Sequence, residues 1–286
     1  MRKDWLLVLI PGLIWGASFL FIAEGLQAIG PNGISFVRLL IGCTTLSCFP
    51  RSWRSVPRGE WLAIVAVGFF WMALPLTLFP HAEQHVTSAI TGMLNGTVPL
   101  FTGVIASLVA RRLPPYGMIV GLAVGTLGAI LMALPTIREG QSSLTGVLLI
   151  LGAVVSYGIA YNVLAPLQQR NGSLPVLWRA QLVAVALTAP LGIPDLLAAR
   201  WSLIPLLSLL ALGALGTGLA YILLTIATGR VGATRASSTN FLIPLVSLLL
   251  GVTLRGEHVP ALAVIGAAVC VTGAWLMQRA RASIIT

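Results

Sequence analysis

The chain has 286 residues and a net charge of +10, yet only 8% of it is charged and 57% is hydrophobic. A soluble domain carries roughly 25% charged residues, so this composition excludes a large soluble core and indicates a polytopic membrane protein. The basic excess argues little for nucleic acid, because it is spread over short loops and no basic domain exists.

A hydrocarbon layer of about 30 Å takes about 20 helical residues to cross. Ten apolar stretches of about that length follow one another, at 5–23, 34–49, 61–80, 86–110, 116–135, 144–164, 176–194, 203–226, 234–254 and 259–278. They lack the alternation of barrel strands, and backbone groups in lipid must pair within their own segment, so all ten are predicted as helices. No small-residue cleavage site follows Phe19 to Ala23, so the first span is expected to remain in place. Cys43, Cys48 and Cys270 all fall within spans and imply no disulfide, metal site or redox role. No cofactor is expected.

Between the spans, basic residues alternate from one loop to the next. Arg2 with Lys3, then Arg51, Arg54 and Arg58, then Arg111 with Arg112, then Arg170, then Arg230 with Arg235, then Arg279 with Arg281 share one side. Opposite lie only Arg138, Arg200 and Arg255, accompanied by Glu24, Glu83, Glu139, Asp195 and Glu257. The positive-inside rule then places both termini in the cytoplasm and requires an even number of spans.

The chain also resembles itself at an interval of 145 positions: Gly68 aligns with Gly213, Val86 with Val231, Asn95 with Asn240, Pro99 with Pro244, Pro115 with Pro260, Gly121 with Gly266, Gly128 with Gly273 and Met132 with Met277. Such agreement of Asn, Pro and Gly marks an internal repeat. Each copy holds five spans, an odd number, so the second must enter the membrane from the opposite face. The expected fold is an all-α membrane protein with ten transmembrane helices, arranged as two inverted five-helix repeats, 1–140 and 141–286, around a central cavity. Inverted repeats suit alternating access.

The run Glu83-Gln84-His85-Val86-Thr87-Ser88-Ala89, followed by Leu94 to Phe101, resembles the fourth-helix signature of the drug/metabolite transporter superfamily, EamA type. Ala236 to Pro244, followed by Leu254-Arg255-Gly256-Glu257, is similar to its ninth-helix signature; Trp15 to Phe19 and Pro31 to Arg38 match too. Members often carry a Glu at the end of the fourth helix, where this chain has Arg111 and Arg112. The resemblance implies a ten-helix bacterial carrier of small organic molecules, commonly an exporter of amino acids or related metabolites, in the inner membrane.

Candidate site residues come from mid-span polar and aromatic groups, which a merely packed helix does not need. Trp15, Phe19, Trp71, Tyr157, Tyr161 and Asn162 lie near that depth, and either line a substrate pocket or fill a bulky core. Asn95 and Asn240 each precede a proline, Pro99 and Pro244, by one turn; each proline should bend its helix and free a carbonyl, which makes these prolines hinge candidates. Each Asn then either presents its amide to substrate or glues helices together. Arg38, inside the outer half of a span, should snorkel or pair with Glu24 or Glu83 and so pin a gate. His81, Glu83 and His85 form an outer vestibule; Pro80 should break the helix before them, and two imidazoles four apart fall short of a metal site.

No carboxylate lies in mid-membrane, which suits facilitated transport or coupling through the vestibule. The leading expectation is export of small zwitterionic or weakly polar metabolites, amino acids first and aromatic ones among them, through a chamber of neutral chemistry. Competing readings are proton-driven export of lipophilic cations or drugs, a channel, and an intramembrane enzyme. The last lacks any Gly-x-Ser-x-Gly, His-Glu-x-x-His or paired intramembrane Asp. Gly121 and Gly125 fit either internal packing or a homodimer, leaving a monomer or a dimer open.

Overall fold

The structure, a computed structural model, describes residues 2–111, 113–140, 142–231 and 239–285. Arg112, Arg235 and positions 236–238 of the second signature therefore lie outside the described residues. Among the described residues there is no strand. The helices are α1 (Arg2–Gly25), α2 (Pro31–Ser47), α3 (Trp61–Val67), α4 (Leu74–Glu83), α5 (Ser88–Asn95), α6 (Val98–Ala110), α7 (Tyr116–Arg138), α8 (Leu144–Asn171), α9 (Ser173–Leu197), α10 (Leu203–Ala211), α11 (Ala220–Val231), α12 (Thr239–Arg255) and α13 (Ala261–Ile285). Two π-helical stretches, Gly68–Ala73 and Leu212–Leu219, join α3 to α4 and α10 to α11.

Among the described residues seven helical runs are long and apolar enough to cross a bilayer: Leu6–Gly25, Arg58–Glu83, Ser88–Ala110, Tyr116–Arg138, Leu144–Asn171, Ser173–Leu197 and Leu203–Ala227. Thr239–Arg255 and Ala261–Met277 are shorter apolar helices, and α2 has 17 residues. Large apolar side chains such as Leu62, Leu108, Val109, Leu191 and Leu197 face outward, as a lipid-bathed surface requires.

Several boundaries depart from the sequence reading for local reasons. Helix α8 runs on to Asn171 and α9 starts at Ser173, because Gly172 at φ +80° turns the chain and Pro175 sits in the first turn of α9, where its missing N–H costs nothing. Pro80 does not break α4, which continues to Glu83. A proline withholds the donor that the carbonyl four residues earlier would take, here Leu76, and Ser35 Oγ on α2 donates to that oxygen at 2.9 Å instead. Pro99, by contrast, does more than bend its helix. Helix α5 ends at Asn95, Gly96 and Thr97 form a turn, and Pro99 lies in the first turn of α6.

Helices of the first 140 residues pack mainly on helices of the rest: α1 on α12, α2 on α9 and the second π-helical stretch, α7 on α13. The α7–α13 seam absorbs the glycines noted in the sequence. A Cβ at Gly121 would meet the Gly273 carbonyl at 2.8 Å, and one at Gly266 would meet the Met132 nitrogen at 2.7 Å. Small residues let two backbones approach within a single chain here.

Candidate functional site

Helices from both parts of the chain enclose a cavity of about 60 Å³, room for about four waters. Its wall comes from α1 (Trp15, Ser18, Phe19, Ile22), α2 (Arg38), α4 (Leu76, Phe79), α5 and α6 (Asn95, Val98), α8 (Tyr157, Tyr161), α11 (Tyr221) and α12 (Asn240, Ile243). Six of the eight residues marked from the sequence as substrate-facing are thus brought together: Trp15, Phe19, Asn95, Tyr157, Tyr161 and Asn240. The other two are placed elsewhere. Asn162 Nδ2 donates to Thr102 O at 3.2 Å and Gly158 O at 2.8 Å, tying α8 to α6. Trp71 stands behind the wall, 4% exposed, against the rings of Tyr161 and Tyr221.

The rings form a continuous collar. Phe19 meets Phe79 at a centroid distance of 5.4 Å, Phe79 meets Tyr157 at 6.0 Å, and Tyr157 meets Tyr161 at 6.3 Å. Tyr161 meets Trp71 at 6.1 Å, Trp71 meets Tyr221 at 4.9 Å, and Tyr221 meets Trp15 at 5.1 Å. Most of these contacts are edge-to-face, the arrangement favoured by ring quadrupoles and worth about 0.5–1.5 kcal/mol per pair beyond burial. Trp15 and Phe19, one turn apart on α1, are the two ends of this chain of ring contacts.

Polar groups are set into this apolar wall by the π-helical stretches, whose i→i+5 pattern leaves carbonyls for other donors. Trp15 Nε1 donates to Gly216 O at 2.9 Å, and Gln181 Nε2 to Thr217 O at 2.6 Å. In the other stretch, Phe70 O accepts from Ser156 Oγ at 2.7 Å. The Asn95 Oδ1 acceptor is buried with no donor. Pro244 lies within α12, and its ring faces Gly96 closely, so the break before Pro99 abuts the second hinge candidate.

Arg38 contradicts the expectation set by its position. It neither reaches the surface, being 5% exposed, nor pairs with Glu24 or Glu83; its Nε donates to Thr217 Oγ1 at 3.2 Å, and its side chain lines the cavity. Glu24 pairs instead with Arg255 and accepts from Gln27.

Two carboxylates cap helix starts at the face that the charge pattern places outside. Glu257 Oε1 accepts from Ser88 N at 3.1 Å and Ser88 Oγ at 2.8 Å, and its Oε2 accepts from Ala89 N at 2.8 Å. Asp195 Oδ2 accepts from Asn32 N at 3.0 Å and Gly33 N at 3.1 Å. Each carboxylate fills orphan donors at a helix N-terminus, α5 and α2 respectively. Of the vestibule residues, His81 bonds Asn32 Oδ1 through Nε2 at 3.0 Å. His85 is exposed beyond the end of α4, so the two imidazoles do not share a helix face. Both Glu83 carboxylate oxygens are buried without a hydrogen-bond partner.

Sequence reasoning missed Tyr221, Phe79, Ser18 and the cavity position of Arg38. Tyr221 carried a usable signal, as a polar aromatic inside an apolar span beyond the glycines of the eighth stretch. Phe79 is an ordinary apolar residue in the sequence and offered none.

An all-helical, multi-pass chain with a polar and aromatic cavity between its helices is the build of a membrane transporter. The EamA-like transporter family model matches residues 3–134 and again 144–279, and the chain belongs to that family. It is 26% identical to "Uncharacterized transporter YdfC" of Bacillus subtilis over 96% of this chain and 91% of that one. It is also 26% identical to a "Probable terminal-alkyne amino-acid exporter" of Streptantibioticus cattleyicolor, covering 97% and 94%. With "Uncharacterized inner membrane transporter YedA" of Escherichia coli K12 it shares 25% identity over 86% and 80%. One solved crystal structure superimposes with a TM-score of 0.66 at 19% identity, covering 99% of both chains, a likeness of fold.

Proposed function

We propose that this transporter is an alternating-access carrier that exports amino acids, aromatic ones foremost, across the inner membrane of a bacterial-type cell. In this reading the ten spans form two inverted repeats, 1–140 and 141–286, with both termini cytoplasmic. Two matches to one family model support the repeat, as does a π-helical stretch in each half, with Gly68 and Gly213 at the repeat interval. The name of the Streptantibioticus cattleyicolor relative supports the substrate class.

The observation that carries the reading is the cavity itself: an aromatic collar around a buried Asn95 acceptor that has no donor of its own. An aromatic side chain stacks within the rings, and an ammonium N–H fills Asn95 Oδ1. Asn240 offers a second amide. The π-helical stretches and the Gly96–Thr97 break are the places that yield as the halves exchange conformations, while Glu257 and Asp195 hold the outer face shut. The test is counterflow of a panel of labelled amino acids into proteoliposomes of the purified protein. Saturable exchange accelerated by substrate on the far side, confined to a narrow set of amino acids, is expected. Non-saturable flux would indicate a channel and overturn it.

One observation favours ion coupling over facilitated flux, namely the buried, unpartnered carboxylate of Glu83. Accumulation driven by an imposed proton gradient supports coupling through that group; flux indifferent to the gradient supports the facilitated form.

A further inference from the structure

Arg38 is a cation held at the cavity wall with no carboxylate hydrogen-bonded to it among the described residues. Among the described residues its guanidinium makes one hydrogen bond, from Nε to Thr217 Oγ1, and no ion pair. That bond uses one N–H, and the four on Nη1 and Nη2 have no acceptor among the described residues. No Asp or Glu stands among the lining residues. Glu83 shares no hydrogen bond or ion pair with it, since both Glu83 oxygens lack partners. A buried guanidinium whose fork is not hydrogen-bonded to a carboxylate is unfavourable, and that planar fork matches a carboxylate with two parallel hydrogen bonds.

The surroundings hold that fork in place. Thr217 Oγ1 donates to Leu212 O, five residues earlier, at 3.1 Å, so a lone pair of the same hydroxyl is left for Arg38 Nε. The Thr217 carbonyl is in turn held by Gln181. The π-helical stretch thereby fixes the hydroxyl, and the hydroxyl orients the guanidinium.

We propose that Arg38 is the receptor for a carboxylate on the transported molecule. The cavity then takes monocarboxylates bearing an apolar or aromatic side group, amino acids among them, and rejects amines that lack the acid. The chamber is cationic, not neutral as its mid-span residues suggested. The carboxylate is the required group, whereas an ammonium at Asn95 is an addition to it. This inference rests on the carrier reading of the same cavity.

The experiment compares phenylalanine, phenylpyruvate and 2-phenylethylamine as competitors of labelled phenylalanine counterflow in proteoliposomes. These share a ring and differ in which charged group they carry. Phenylpyruvate should compete with strength comparable to phenylalanine, and 2-phenylethylamine about tenfold or more weakly. Arg38→Met should raise the half-saturation concentration about tenfold or more, with Arg38→Lys recovering part of the loss by restoring the charge without the fork. Equal competition by 2-phenylethylamine, or an unchanged half-saturation in Arg38→Met, would overturn the assignment. If Arg38→Met is not recovered folded, the ranking of the three compounds on the unsubstituted protein decides alone. Transport of amines or neutral solutes with no response to acids sinks the Arg38 assignment and leaves the carrier standing. No transport or competition by any compound removes the carrier reading and this inference together.

Discussion

Ser35 Oγ donates to the Leu76 carbonyl at 2.9 Å, supplying the hydrogen bond that Pro80 cannot. The same hydroxyl lies 3.0 Å from Pro31 O, so one side chain ties α2 to its own first turn and to α4. Ser35→Ala leaves the buried Leu76 oxygen without a donor, which costs about 1–3 kcal/mol. Thermal unfolding in detergent should show the loss, and Pro80→Ala, which restores the backbone donor, should recover much of it in the double variant.

Glu257→Ala strips three hydrogen bonds from the start of α5, and the expected destabilisation is about 1–2 kcal/mol. Glu257→Gln keeps an acceptor but loses the charge and should fall between. A melting temperature equal to that of the unsubstituted protein for Glu257→Ala would show that water replaces the cap without loss.

Asn95 and Asn162 separate a lining role from a structural one. Asn95→Ala removes the acceptor that faces the cavity and should lower transport efficiency about tenfold with little change in melting temperature. Asn162→Ala breaks the α8–α6 tie and should lower stability by about 1 kcal/mol while leaving substrate ranking intact. Counterflow and thermal unfolding on the same preparations read both effects.

The glycines of the α7–α13 seam leave no room for a Cβ. Gly121→Leu should sharply reduce recovery of folded protein, because its Cβ alone would sit 2.8 Å from the Gly273 carbonyl and backbone must shift. Gly59→Ala, with nothing within 4 Å of the new carbon, is the matched control and should express normally. Size-exclusion profiles of membranes solubilised in parallel give the comparison.

The apolar stretches were legible because lipid forces each to satisfy its own backbone, a constraint that needs no tertiary information. Proline effects were less so. Pro80 and Pro99 look alike in sequence, yet α4 continues through the first while α5 stops before the second. The difference lies in a hydroxyl on α2, 45 positions away from Pro80, that sequence spacing does not reveal. Mid-span depth located Trp15, Phe19, Tyr157 and Tyr161, but depth does not tell which side of a helix faces the chamber. Trp71 therefore turned out one layer back, and Asn162 turned toward α6. Arg38 was read from its distance to the membrane surface, and the hydroxyl of Thr217, fixed by a π-helical stretch, was invisible to that argument.

Glu257 and Asp195 both belong to the later part of the chain, and both grip helix starts in the earlier part. Moving these parts away from each other breaks five hydrogen-bonded contacts to two carboxylates. At about 1–2 kcal/mol per cap, the closed arrangement behaves as a double latch whose release needs a compensating gain elsewhere. Rehydration of two anions would supply part of that gain, and in the proposed carrier a bound substrate would supply the rest.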